Sequence, residues 1–311
     1  MILFNAIGAV KEVNEFFKIL KPEITRPKLN ILISFPYIRG QVSSLIKYKE
    51  QNMIGQLFLD AGTFTINIKS TTLHPLPKPR FAEYMQYVKL YGHHFDHIAS
   101  YDEDFYDPDL NMHHLLRSGT ILGDDLMRKL IPVVHEANDG AAKELQDIVD
   151  LDYDYIAIGS QPKLKKNVWD KIEKIIREQK VLGREIKTHL FGIMSPKILM
   201  DKKPHSADSS SFAKVGGQDA ILYWNPETKM LDTVRLIDLS DPEMSRKDSR
   251  KEWLPIHDDY LSRIFIECTK NRLIAYTTDR HLVSLYAIVQ MEKYFTDLAN
   301  QPVQPVSTNP E

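Results

Sequence analysis

Strand-like and helix-like segments take turns along this chain. Short runs rich in β-branched and aromatic residues stand at Asn30 to Phe35, Gln56 to Asp60, Phe95 to Tyr101, Ile131 to His135, Tyr153 to Ile158, Lys187 to Phe191 and His205 to Asp208. Most are bounded by Gly, Pro or Asp, the residues that end strands. The stretches between them carry apolar residues every three or four positions. Arg80 to Tyr91 places Phe81, Tyr84, Met85 and Val88 on one face, Asp139 to Val149 places Ala142, Leu145 and Ile148, and Val168 to Glu178 places Ile172, Ile175 and Ile176. Helices with one apolar stripe pack on a sheet, and strict alternation of strand and helix makes that sheet parallel. A doubly wound sheet advertises a Gly-rich phosphate loop after its first strand, and none occurs here. The expected fold is therefore α/β, a (β/α)8 TIM-type barrel in a single domain over residues 1–299. At 311 residues the chain has room for such a barrel, which needs about 250.

The rhythm breaks after Asp208. Gly216 to Leu239 reads as a β-hairpin insertion turning at Asn225-Pro226, and Ser240 to Glu252 as a charged loop. Asp258 to Cys268 and Asp279 to Leu298 read as C-terminal helices, with Asp279 as the N-cap of the last. Residues 300–311 are Pro-rich and polar, the composition of a disordered tail.

Apolar residues make up 43% of the chain and charged residues 26%, enough to bury a large core. The formal net charge of -2 means that a polyanion partner requires Lys and Arg gathered on one face. The single cysteine, Cys268, rules out an internal disulfide and any multi-cysteine zinc site. It reads as a core residue and fits a reducing cytoplasm. No apolar run reaches the roughly 18 residues of a membrane span, and the apolar start MILFNAIGAV lacks the basic flank of a signal peptide.

Polar residues gather at the ends of the expected strands. Asp60 ends QLFLD and precedes Ala61, Gly62, Thr63 and Phe64. Asp102 ends FDHIASYD, after Tyr101. His135 ends IPVVH, and Gly159 and Ser160 end YDYIAIGS. His189 lies in THLFG, and Asp208 ends HSAD before three serines. An aspartate after a strand is commonly just a turn or cap residue. In a parallel barrel, however, the carboxyl ends of all strands meet at one face, where active sites lie. There, three acids and two histidines would converge.

These segments in series resemble the tRNA-guanine transglycosylase superfamily. LDAGTF is similar to its DSGGFQ-type loop, YIAIGS to its A-I-G-G-L strand end, THLFG to the strand after that, and HSADSSSF to the strand bearing its nucleophilic aspartate. The likeness runs from about Ile54 to Phe212. It is nearer still to the shorter homologues of phages and bacterial DNA-modification clusters, which insert 7-deazaguanine bases into DNA. The chain departs from the tRNA enzymes in lacking their three-cysteine zinc site, in carrying Ser209, Ser210 and Ser211 where they have an Arg-containing loop, and in having Ala61 for Ser and His135 for a base-contacting Gln.

The resemblance implies a base-exchange transglycosylase that replaces guanine in DNA with a 7-deazaguanine derivative and needs no cofactor. Asp208 would be the nucleophile and Asp60 the general acid/base. Asp102 would read the base edge, with His135, Gly159 and Ser160 on the opposite edge, and Gly62, Phe64, Tyr101 and His189 lining the pocket. The base must leave the stack, so the DNA would be single-stranded or flipped. Lys163, Lys165, Lys166, Lys202, Lys203 and Lys214 would hold its phosphates. The implied setting is the cytoplasm of a bacterial or phage-infected cell. Three rivals stand beside this reading: a transglycosylase acting on tRNA, a metal-dependent barrel hydrolase drawing ligands from His93, His94, His97, His113, His114, His135 and His189 with Asp60 and Asp102, and an inactive nucleic-acid-binding protein of the same fold.

Overall fold

A computed structural model describes residues 1–38, 40–63, 80–135, 140–159, 166–237 and 249–301. Phe64, Ser160, Lys163, Lys165, most of the charged loop and the Pro-rich tail lie outside the described residues. The strands are β1 (Ile2–Ala6), β2 (Leu29–Ser34), β3 (Ile54–Asp60), β4 (His97–Ala99), β5 (Leu130–Ile131), β6 (Val133–His135), β7 (Tyr155–Gly159), β8 (Lys187–Phe191), β9 (Ser206–Ser209), β10 (Ala220–Asn225) and β11 (Met230–Arg235). The helices are α1 (Lys11–Ile19), α2 (Phe35–Ile38), α3 (Val42–Glu50), α4 (Phe81–Tyr91), α5 (Pro108–Ile121), α6 (Asp124–Met127), α7 (Ala141–Asp150), α8 (Lys166–Val181), α9 (Pro196–Lys202), α10 (Ser211–Gly216), α11 (Pro255–Ile264), α12 (Lys270–Ala275) and α13 (Thr277–Ala299).

The first nine strands form one sheet in the order β5-β4-β3-β2-β1-β9-β8-β7-β6, and every pairing in it is parallel. Its two edge strands, β5 and β6, are separated in the chain only by Pro132. Nine segments therefore make eight staves, and the sheet closes through a single strand nicked by a proline. Proline has no N–H to give a ladder, which explains the nick. Its carbonyl still serves the ladder, accepting from the Ala157 N–H at 2.8 Å. This is the expected TIM-type barrel.

Strand side chains alternate with a period of two, so each stave has an inner and an outer set. The inner set packs as its own core of Phe4, Leu32, Phe58, Ala99, Ile131, Val133 and Ala157. The outer set, including Leu3, Ile31, Leu57, Leu59, Ile98, Val134, Ile156, Ile158 and Leu190, joins the larger core beneath the helices. On α4 the helical period turns Phe81, Tyr84, Met85 and Val88 inward, as expected; on α7, Leu145 and Ile148 do the same, but Ala141 is buried there in place of the expected Ala142.

β1 was not among the expected strands, although it is the central stave between β2 and β9. The hairpin β10–β11 is antiparallel and turns at Asn225, whose Oδ1 accepts from the N–H groups of Glu227 (3.0 Å) and Thr228 (3.1 Å). Boundaries of the C-terminal helices differ from expectation. α11 stops at Ile264 because Phe265 is extended and bridges Leu20, so Cys268 lies outside it. Asp279 is not the N-cap of α13; Tyr276 holds that place, and Asp279 instead accepts from Arg272 Nε at 2.5 Å. Cys268 is buried, and burial pushes its thiol up to about 12. Among the described residues, no helix is long and apolar enough to cross a membrane.

Candidate active site

The strand alternation that turns Phe58 inward also turns Asp60 inward two residues later, at the carboxyl end of β3. Likewise Val133 brings in His135, Ala157 brings in Gly159, and Phe4 stands in register with Asp208. Asp60, His135, Gly159, His189 and Asp208 thus all project into the barrel, at or near the face where strands hand over to helices.

Asp60 Oδ2 accepts from the hydroxyl of Ser34 at 2.6 Å. The two residues are direct neighbours across β2 and β3. Burial pushes the Asp60 carboxyl up to about 7, and the negative charges of Asp102 and Asp208 add to the rise, against the hydrogen bonds from Ser34 and the Gly62 N–H. Repulsion of this kind acts between carboxylates that lie near one another in a low-dielectric setting. Gly62 has a φ of +79°, and a Cβ there would stand 2.4 Å from Pro36 Cδ. Only glycine permits that turn.

Asp102 is held from both sides: Thr63 Oγ1 donates to its Oδ1 at 2.5 Å, and His135 Nε2 lies 2.8 Å from its Oδ2. Glu144, buried on α7, accepts the His135 backbone N–H at 3.0 Å and stands 3.8 Å from Nδ1. Burial opposes a charge on His135, but hydrogen bonds and attraction from Asp102 and Glu144 outweigh it and push the imidazole up to about 9. An imidazolium is thus clamped between two carboxylates, and the Phe105 ring stacks on it at 4.5 Å. A Cβ at Gly159 would lie 3.4 Å from His135 Cδ2, so that glycine lets β7 run close past the ring.

Asp208 Oδ1 accepts from the Gly192 N–H at 3.0 Å and faces His189 Nε2 at 3.2 Å. Gly192 has a φ of +70°, the turn that aims its N–H at the carboxylate. Phe191, at the end of β8, sets its ring against His189 (4.6 Å) and Phe58 (5.9 Å).

Two groups of expected site residues fall elsewhere. Tyr101 is 1% exposed and packs outward, edge-on to Phe81 at 5.7 Å and His114 at 5.3 Å. β4 ends at Ala99, so strand alternation no longer governs Tyr101, and its ring faces the helices instead of the barrel interior. Lys202 and Lys203 end α9 and lead into the start of β9, beside the first residues of β1, where the His205 carbonyl accepts from the Ile2 N–H. Helices in this fold run back down the barrel, so these lysines sit at the end opposite the carboxylates. Lys202 is also engaged with Glu173 at 3.2 Å and lies over the Trp169 ring. Lys166 begins α8 on the carboxylate side, Lys214 lies in the last turn of the short α10 after β9, and both are exposed.

Ser34, Thr63, Phe105 and Glu144 were not expected in the site. Glu144 had a visible signal: it sits in the apolar register of an amphipathic helix, where an acid needs a buried partner. Among the described residues, no three His, Cys, Asp or Glu side chains are grouped to hold a metal ion. The fold and site define a (β/α)8 barrel with buried aspartates and histidines gathered at the strand ends. Compared with known proteins, the chain matches no family model and no curated sequence.

Proposed function

We propose that the chain is a base-exchange transglycosylase that replaces guanine in DNA with a 7-deazaguanine derivative. The observation that carries this reading is the division of labour between two strand-end carboxylates. Asp208 has one oxygen steadied by a backbone N–H and an imidazole. Asp60, near enough to feel the charge of Asp208, is raised to about 7. Two acids held in different surroundings can divide the roles of nucleophile and proton carrier.

The Asp208 carboxylate attacks C1′ of the sugar, the C1′–N9 bond breaks, and guanine leaves with a proton from Asp60. The ionised Asp60 then takes the N9 proton of the incoming base, whose nitrogen attacks C1′ and expels Asp208. Two displacements retain the configuration, as in a retaining glycosidase. Asp102 reads the amidine edge of the base with the lone pairs that Thr63 and His135 leave open, His135 holds Asp102 in place, and the Gly159 backbone faces the carbonyl edge.

The deciding experiment incubates the protein with labelled guanine and either DNA or tRNA. Incorporation into DNA is expected. Asp208→Asn should abolish it while leaving DNA affinity within about twofold, because the exchange has no other nucleophile. Incorporation into tRNA alone would redirect the substrate, and full activity of Asp208→Asn would overturn the mechanism.

A further inference from the structure

Beneath Asp208 a line of hydrogen bonds runs down the inside of the barrel across three neighbouring staves. Tyr155 at the start of β7 sets its hydroxyl 2.6 Å from Ser206 Oγ on β9. Ser206 Oγ lies 2.6 Å from Nδ1 of His189 on β8. The other ring nitrogen, Nε2, meets Asp208 Oδ1 at 3.2 Å. Ser206 and His189 are fully buried, and the imidazole is packed by Phe58 at 4.8 Å, Phe191 at 4.6 Å and Phe4 at 6.0 Å.

Counting protons orients the line. A serine hydroxyl has one proton to give and a phenol has one. Burial pushes the Tyr155 hydroxyl up to about 12, so it keeps its proton and can donate to Ser206. Ser206 then donates to Nδ1, and the single proton of a neutral imidazole is left on Nε2, where it points at Asp208. The reverse orientation of a neutral ring would set the Nε2 lone pair against an ionised carboxylate oxygen. Oδ1 also takes the Gly192 N–H, whereas Oδ2 has no hydrogen bond among the described residues.

Resting on the transglycosylase reading, we propose that Tyr155, Ser206 and His189 are positioning residues that fix His189 as its Nε2–H tautomer, tie down Oδ1 of Asp208 and leave Oδ2 as the attacking oxygen. No proton travels along the line during the reaction. Oδ2 bonds to C1′ as the base departs, and the same bond breaks when the new base arrives. The two donors on Oδ1 steady the carboxylate as it is released, which is where fixed dipoles are most effective.

The test uses full-length protein labelled with 15N-histidine. The His189 signals are assigned by their loss in His189→Gln and followed from pH 6 to 8. The wild type should show a protonated Nε2 and a bare Nδ1. Ser206→Ala should lose that preference, Ser206→Thr should keep it, and Tyr155→Phe should weaken it. In base exchange, Ser206→Ala should lower kcat roughly tenfold or more with KM within about twofold, since misaligned attack costs rate rather than binding, and Ser206→Thr should restore it. A wild-type ring protonated on Nδ1, alone or on both nitrogens, overturns the proposal; so does an unchanged spectrum in Ser206→Ala. Should Ser206→Ala fail to fold, the wild-type, Ser206→Thr and Tyr155→Phe spectra still decide. The expected tautomers without base exchange on any nucleic acid would sink the transglycosylase reading and leave the hydrogen-bonded line standing.

Discussion

Asp60 and Asp208 are one kind of side chain in two settings, and the settings make different demands on stability. Asp60 is raised from 3.8 to about 7, so the fold favours its neutral form. Its contribution is intact below its unfolded value and is lost as pH rises through about 7, because the unfolded chain ionises first. Asp60→Asn removes that titration while retaining an oxygen for the Ser34 hydroxyl. We expect urea unfolding to show the wild type losing stability between pH 5 and 8 more steeply than the variant, with the variant the more stable of the two at pH 8. Parallel curves would mean that Asp60 carries no such penalty. The variant should also be inactive in base exchange, the trade-off expected where function holds a group in a costly state. Gly62 offers a second residue-scale check. Gly62→Ala forces a left-handed alanine against Pro36 and should cost about 1–3 kcal/mol, read as a lowered urea midpoint.

At the level of elements, the closing stave shows what the sequence could and could not reveal. Ile131 to His135 reads as one strand, but Pro132 splits it, and a side chain mends the ladder. Ser100 Oγ accepts from the Val133 N–H at 3.1 Å, and the Ile131 carbonyl accepts from the Ser100 N–H at 2.8 Å. Ser100→Ala leaves a buried N–H without its acceptor, a loss of about 1–3 kcal/mol. Hydrogen exchange at Val133 should accelerate along with the drop in stability; unchanged protection there would refute the mended-ladder account. Asp60, His135, Gly159, His189 and Asp208 were legible because each ends or lies within an apolar run whose period sets its direction. Tyr101 was misread because β4 stops at Ala99, and no local pattern shows where pairing ends. β1 was missed because ILFNA is short and sits at the chain start without a flanking turn signal. Phe105 and Thr63 come from loops, where direction follows from tertiary contacts that a sequence does not display.

Across the whole molecule, the barrel sorts charge by where each helix starts and ends. A net charge of -2 and aspartates gathered at the strand ends make the site repellent to a polyanion unless cations surround its rim. Lysines that begin helices after a stave stand on the carboxylate side, and lysines that end helices stand on the far side. Lys166 belongs to the first set, Lys203 to the second. Each lysine that contacts a phosphate releases counterions and adds about 1 to the slope of log affinity against log salt. Lys166→Glu should therefore bind single-stranded DNA more weakly at low salt, with a slope shallower by about 1. Lys203→Glu changes the net charge in the same direction at the opposite end and should leave the slope as it was. Titrations of labelled DNA across a salt series separate the two cases. Equal losses for both variants would show that DNA senses only the total charge, and the strand-end face would lose its claim to be the nucleic-acid surface.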